Sequence, residues 1–430
     1  MLNLPRSPQR RHTLALLCLS LLCWGGLALP GTHATQVPWY EDLFTAVSAV
    51  STTGLTTVPT GETYTWFGEL VVLAFIQLGG LGYMGLLSFI LLRPHRRLDD
   101  DDAAVVSEDQ NLSDEVDVTR FVRRVLAFTA ACEVLGAAVL AYGFHRFGLP
   151  VGEAVWKGVF HSVSAFCTAG FALQADSLQP YAAEPLITIA AIVTATLGSL
   201  GFILFTAVRK RFGSDDWGFE PSTAPVLAIF TILVIAYAVA GYYAGGPIAE
   251  SAYPWVNAVF LAGTSVTSTG FSTVATGDLP LVLTMSLIVV MSFGASPVGT
   301  SGGMKLSNVV LLGTLVIDRL RGRTRVDIDG ERVEAREVHE AVGVVALYLV
   351  LLVAGGLALA AVASEEDSPM DFDAVFFEAA SALGNVGLST GITADFDAAG
   401  RAILMALMLA GRIGAMTLAY SVASTREEAE

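Results

Sequence analysis

Four short stretches of this 430-residue chain end in glycine and carry small or hydroxyl-bearing residues before it. They are Ser51, Thr52, Thr53 and Gly54; Cys167, Thr168, Ala169 and Gly170; Thr267, Ser268, Thr269 and Gly270; and Gly384, Asn385, Val386 and Gly387. None of these side chains carries a formal charge. The chemistry open to them is coordination by backbone. A cation leaving water needs its hydration shell replaced by oxygens, and carbonyls turned inward by a glycine-containing loop do this without a full charge.

Aligned on their glycines, the segments 42–57, 154–173, 257–273 and 374–390 agree elsewhere too. Ten residues earlier stand Phe44, Phe160, Phe260 and Phe377, and six earlier stand Ser48, Ser164, Thr264 and Ser381. One residue later stand Leu55, Phe171, Phe271 and Leu388. Four unrelated segments would not agree in this way, so the chain is a fourfold internal repeat. Each segment is expected to begin with a half-helix of about two and a half turns. The glycine ends it, and the negative helix ends point at the loops.

A second set of residues suits control rather than coordination. Gly294, Gly299, Gly302 and Gly303, with Pro297, interrupt a long apolar run at 279–318, so no single helix continues through it. Lys305 and Arg412 read as the two formal charges deep in predicted spans, with no evident carboxylate partner. The carbonyls freed at the break are their natural acceptors. Lys305 has the alternative of snorkelling to the membrane boundary. Arg412 against the broken segment would form a gate beneath a cation path.

These residues must be positioned by a membrane protein. Apolar residues make up 53% of the chain, charged residues 15%, and mean hydropathy is +0.61, whereas soluble domains carry about 25% charged residues. Runs long enough to span ~30 Å of hydrocarbon fall at 12–30, 68–92, 121–146, 185–208, 222–246, 279–318, 338–363 and 398–424. The expected fold is all-α: eight transmembrane helices in four span–pore helix–filter loop–span repeats around one central pore. The repeats are 1–92, 93–211, 212–320 and 321–430, with pore loops 38–57, 153–173, 252–273 and 371–391. A half-helix and loop at membrane depth require protein or water around them, which a shared pore supplies.

Orientation follows from the basic residues. They gather at 6–11, 93–97, 120–124, 209–211, 319–336 and 426, whereas the other side has Arg146, Lys157 and Arg401. Both termini are therefore expected in the cytoplasm, in a multi-pass protein of the cell membrane. The apolar run 14–29, with Thr32, His33 and Ala34 after it, resembles a cleavable signal, but cleavage would leave seven spans and an incomplete first repeat. The net charge of −16 is concentrated in loops such as 99–117 and 365–373 and reads as solvated surface. Cys18, Cys23, Cys132 and Cys167 show no metal-ligand or disulfide spacing.

The motifs IQLGGLGYMG (76–85), FHSVSAF (160–166) and GRIG (411–414), with the four glycine stretches, resemble the Trk/Ktr/HKT family of K⁺ transporters over nearly the whole chain. The length and span count are closest to Ktr-type membrane subunits. The resemblance implies K⁺ uptake, Na⁺ dependence or Na⁺ transport in some members, and K⁺ held by filter carbonyls alone, with no cofactor in this chain. It also implies a homodimer seated on a cytoplasmic nucleotide-binding ring. Cys167 and Thr168 stand where Ktr subunits often have asparagines. No nucleotide-binding glycine pattern lies in the cytoplasmic loops, and nothing indicates nucleic-acid binding.

Two other readings are weaker. GTSG (299–302) satisfies the GxSG pattern of intramembrane proteases, whose serine needs a histidine within reach. His161, however, belongs to the outer side and reads as a packing residue. An organic-substrate carrier with broken helices would need charges at its binding site, and the four loops offer none.

Overall fold

The computed structural model describes residues 8–82, 118–201, 223–294, 300–323, 326–328, 331–363 and 370–414, and they are mostly helical. In chain order the principal helices are α1 (Pro8–Leu27), α2 (Trp39–Ser51), α3 (Trp66–Gly80), α4 (Val118–Phe147), α5 (Val151–Phe166), α6 (Pro185–Leu200) and α7 (Thr223–Ala244). They continue as α8 (Pro254–Val266), α9 (Leu281–Met291), α10 (Leu306–Leu320), α11 (Ala335–Ala363), α12 (Phe372–Gly384) and α13 (Ala398–Ile413). Among the described residues, Val122–Phe147, Pro225–Ala244 and Ala335–Ala363 are long and apolar enough to cross a membrane. The predicted spans 68–92, 185–208 and 398–424 begin as α3, α6 and α13, and their residues after 82, 201 and 414 lie outside the described ones.

The short helices α2, α5, α8 and α12 each pack between the elements that flank them in sequence: α1 and α3, α4 and α6, α7 and α9, α11 and α13. Their phenylalanines explain the docking. Phe44, Phe160, Phe260 and Phe377 are at most 2% exposed, and so are Leu55, Phe171, Phe271 and Leu388 after the glycines. Burying a side chain of this size contributes about 1.5–3 kcal/mol.

The half-helices are longer than expected. Three have 13 residues and α5 has 16, or about 3.6 turns and more. At three of them proline sets the entry: Pro38 and Pro150 precede α2 and α5, and Pro254 opens α8, while Asp371 precedes α12. The glycine is not what ends them either. Helical structure stops at Ser51, Phe166, Val266 and Gly384. The chain then reverses through left-handed residues two positions before each glycine, at Thr52, Thr168, Ser268 and Asn385 (φ 53°, 52°, 56° and 50°).

The run 279–318 is broken as expected. After α9, Phe293–Gly294 pairs in parallel with Met304–Lys305, and α10 begins at Leu306. Gly299 and Pro297 lie outside the described residues.

Candidate functional site

Each loop after a short helix is built by the same backbone bonds. The N–H groups of Thr53, Ala169, Thr269 and Val386 donate to the carbonyls of Ser48, Ser164, Thr264 and Ser381 at 2.8–2.9 Å, the six-to-one closure of a Schellman turn. A β-branched threonine in the left-handed region is strained, and such strain collects at functional sites.

The glycines serve a different purpose. A Cβ on Gly54 would strike the carbonyl of Ala169, one on Gly170 that of Thr269, one on Gly270 that of Val386, and one on Gly387 that of Thr53. Each approach is closer than a real side chain tolerates. The contacts run from the first loop to the second, third and fourth and back to the first. The carbonyls of Thr53, Ala169, Thr269 and Val386 thus each abut the next glycine in one closed cycle. Ser51, Cys167, Thr267 and Gly384, at the helix ends, are buried beside it. All the sequence-predicted ligand stretches are brought together.

On one side of this cycle lies a cavity of about 460 Å³, reached by all four glycines and lined mainly by hydroxyl and backbone groups with Asp176 and Asp278. The rim is fastened by ion pairs and hydrogen bonds. Glu41 in the first turn of α2 meets Arg401 Nη1 at 2.5 Å and accepts from the Thr57 hydroxyl. Asp42 accepts from Tyr64 Oη at 2.9 Å and lies 2.9 Å from His33 Nε2. Burial pushes the Tyr64 hydroxyl above its ordinary range, so it remains a donor.

On the other side lies the broken segment. Arg412 Nη1 donates to the Thr300 carbonyl at 2.5 Å, while Nη2 donates to the carbonyls of Gly80 (3.0 Å) and Gly79. Lys305 Nζ donates to the Ser301 carbonyl at 2.8 Å. Both cations therefore use freed carbonyls, and Lys305 does so rather than only reaching for the boundary. Gly302 packs against Asn385 so closely that a Cβ would meet its side chain, and Gly294 packs against the Gly302 carbonyl. Gly303 takes φ +73°.

One sequence expectation needs correction. A carboxylate, Glu133, also lies deep in a predicted span, 121–146, while Glu69 and Asp318 stand at the ends of theirs. Glu69 accepts from Trp156 Nε1 at 2.5 Å and Asp318 pairs with Arg323 at 3.2 Å. Glu133 lies in the middle of α4, its Oε1 buried without a hydrogen-bond partner among the described residues. Single acids hardly lower the hydropathy of a 25-residue run, so composition conceals them. The packing role expected for His161 agrees with its surroundings. His161 is fully buried, with Nδ1 2.7 Å from the Lys157 carbonyl, Nε2 3.2 Å from Gln174 Oε1, and the rings of Phe144, Phe160 and Phe271 around it.

Sequence reasoning also passed over Glu378 and Asn385's side chain. Asn385 Nδ2 donates to Thr53 Oγ1 (2.9 Å) and to the Met408 carbonyl (2.8 Å), joining the fourth loop to the first and to α13. Glu378 is fully buried in α12. The cysteines are free, and no group of three or more His, Cys, Asp or Glu among the described residues is placed to hold a metal.

The family profile TrkH, described as cation transport protein, matches residues 21–214 and 223–428. Ktr system potassium uptake protein B of Bacillus subtilis is 28% identical over 411 residues, covering 93% of this chain and 89% of that protein. Potassium/sodium uptake protein NtpJ of Enterococcus hirae is 28% identical over 427 residues, covering 95% and 92%. The crystal structure of the potassium transporter TrkH from Vibrio parahaemolyticus shares the fold with a TM-score of 0.73 at 19% identity, over 97% of this chain and 84% of that one.

Proposed function

The chain belongs to the TrkH family of cation transport proteins, and on that premise we propose that it takes up K⁺ through one pore whose selectivity filter is made by the four glycine loops. It is a transporter, not an enzyme. The observation that carries the reading is the closed cycle of glycines and carbonyls. It supplies oxygens from four segments at one level and leaves no room for a side chain. Four short helices direct their negative ends at that level, each worth roughly half a charge. The filter residues are those of 51–54, 167–170, 267–270 and 384–387.

The architecture that goes with this function is eight spans in four repeats, with both termini in the cytoplasm of a cell-membrane protein. The segment around Gly294, Gly299, Gly302 and Gly303 is the gate, held by Arg412 and Lys305. Arg412 is well suited to this role because it clamps Thr300 of the broken segment to the end of α3. A homodimer on a nucleotide-binding cytoplasmic ring would open it by pulling on the flanking helices. NtpJ's name includes sodium as well as potassium, so Na⁺ passage through the same pore is the alternative reading.

The test is growth of a K⁺-uptake-deficient host at low K⁺, with initial rates of Rb⁺ and Na⁺ uptake. The parent chain restores growth, and Gly→Ser at 54, 170, 270 or 387 lowers Rb⁺ uptake and shifts the Rb⁺/Na⁺ ratio. Unchanged kinetics in all four variants would sink the filter assignment. Arg412→Ala raises flux and weakens its dependence on the ring's ligand if the gate assignment holds.

A further inference from the structure

Behind the fourth loop lies a carboxylate with no part in the function so far described. Glu378 follows Phe377 in α12 and is completely buried. Its Oε1 accepts from the Ser389 hydroxyl (2.8 Å), the Thr390 N–H (2.9 Å) and the Thr390 hydroxyl (3.2 Å). Its Oε2 accepts from the Thr393 hydroxyl at 2.7 Å. Every one of these donors is neutral. Four hydrogen bonds converge on one side chain, which fixes the path of the chain just beyond Gly387.

The three residues it holds also line the cavity above the glycines. Thr390 has a further contact: its carbonyl fills the space that a Cβ on Gly277 would need. The position of the fourth loop is thereby passed to the third. The corresponding residue in the other segments is Thr45, His161 or Leu261. His161 reaches Gln174 of its own loop, but Leu261 offers no polar brace at all. The ring is alike in backbone and unlike in what stands behind it.

We propose that Glu378 is a positioning residue for ion selection, its buried carboxylate holding Ser389, Thr390 and Thr393 so that the fourth loop keeps the width that prefers K⁺ over Na⁺. The inference rests on the filter reading above. An ion-sized opening must be kept to a fraction of an ångström, and hydroxyls anchored to one carboxylate keep it better than hydroxyls left to solvent. Loss of the anchor lets the loop relax toward the smaller, more tightly coordinated ion.

The experiment measures initial Rb⁺ and Na⁺ uptake by the full-length chain in the uptake-deficient host, normalised to its abundance in the membrane. Glu378→Gln keeps the size and one acceptor oxygen but puts an NH2 donor in place of the other, and the Rb⁺/Na⁺ ratio is expected to fall about tenfold, the equivalent of about 1.4 kcal/mol of lost hydrogen bonding. Thr393→Val, close in shape, lowers the ratio in the same direction by a smaller factor. The double variant falls no further than Glu378→Gln alone, because both act through one contact. Glu378→Asp recovers part of the ratio. A merely structural role would lower abundance and scale both ions together, leaving the ratio as in the parent. That outcome in Glu378→Gln overturns the proposal. If Glu378→Gln does not accumulate, an unchanged ratio in both Thr393→Val and Ser389→Ala overturns it instead. Gly387→Ser is run in parallel: a ratio shifted there but constant in the Glu378 series defeats this inference alone, whereas a ratio constant in both defeats the filter reading as well.

Discussion

The third and fourth loops have nearly the same backbone and very different support. Ser268 and Asn385 both take the left-handed conformation, at φ 56° and 50°, and Gly270 and Gly387 come two residues later at 83° and 86°. In the fourth loop Ser381 Oγ accepts from the Gly387 N–H at 3.0 Å, Asn385 reaches two other segments, and Glu378 holds Thr393 beyond the glycine. In the third, Thr264 Oγ1 and Ser268 Oγ are buried without hydrogen-bond partners among the described residues. Support there comes from a neighbour, Ser177, whose Oγ accepts from the Ser272 N–H at 3.0 Å. The backbone path is dictated by the contacts around the ring, which each loop must satisfy equally. The bracing is free to differ: the third loop is tied within itself, as by the Thr267 and Thr269 hydroxyls 2.7 Å apart, whereas the fourth is tied to the first segment and to α13, where it also meets the broken segment.

That contrast can be broken by matched substitutions. The largest effect is expected for Asn385→Ala, which removes the hydrogen bonds to the Met408 carbonyl and the Thr53 hydroxyl at a cost of about 1–3 kcal/mol for the pair, read from thermal unfolding of the purified chain. Ser268→Ala at the corresponding place loses no hydrogen bond and should stay within about 0.5 kcal/mol of the parent. Equal losses at the two positions would mean that the loops do not differ in rigidity. Next comes Gly302→Ala. Its Cβ collides with Asn385, so it should alter K⁺ flux by roughly tenfold, the equivalent of about 1.4 kcal/mol, with the Rb⁺/Na⁺ ratio preserved. A shifted ratio would show instead that the broken segment and the filter are one unit. The smallest effect belongs to Thr264→Val, which removes an unpartnered buried hydroxyl. Its stability should match the parent or exceed it by up to about 1 kcal/mol, and a clear loss would reveal a partner for that oxygen.

Whatever recurs was legible in the sequence. The glycines, the phenylalanines ten residues before them and the apolar residues after them repeat because each loop solves the same packing problem. Arg412 and the freed carbonyls were legible because a guanidinium in an apolar run needs acceptors. The braces were not. Glu378 has no counterpart of its type at Thr45, His161 or Leu261, so alignment of the segments hides it. A usable signal exists all the same: an acid inside a short apolar helix, with hydroxyls 11, 12 and 15 residues later. Glu133 was missed for a related reason, since one acid changes the hydropathy of a long run very little. The left-handed threonines were invisible because propensity argues against them, and only closure of the ring overrides it.

The cycle of loops has one junction unlike the rest. The first and fourth segments meet through Thr53 and Asn385, 332 positions apart, and through Glu41 and Arg401, 360 apart. Contacts of such sequence separation form late, because their loop-closure entropy must be overcome before they stabilise anything. During synthesis the first three loops therefore emerge into an open arc, with Glu41 of α2 waiting for an arginine made hundreds of residues later. The joint between the first and fourth segments is thus expected to close last, and the ring stays open until α13 has been made.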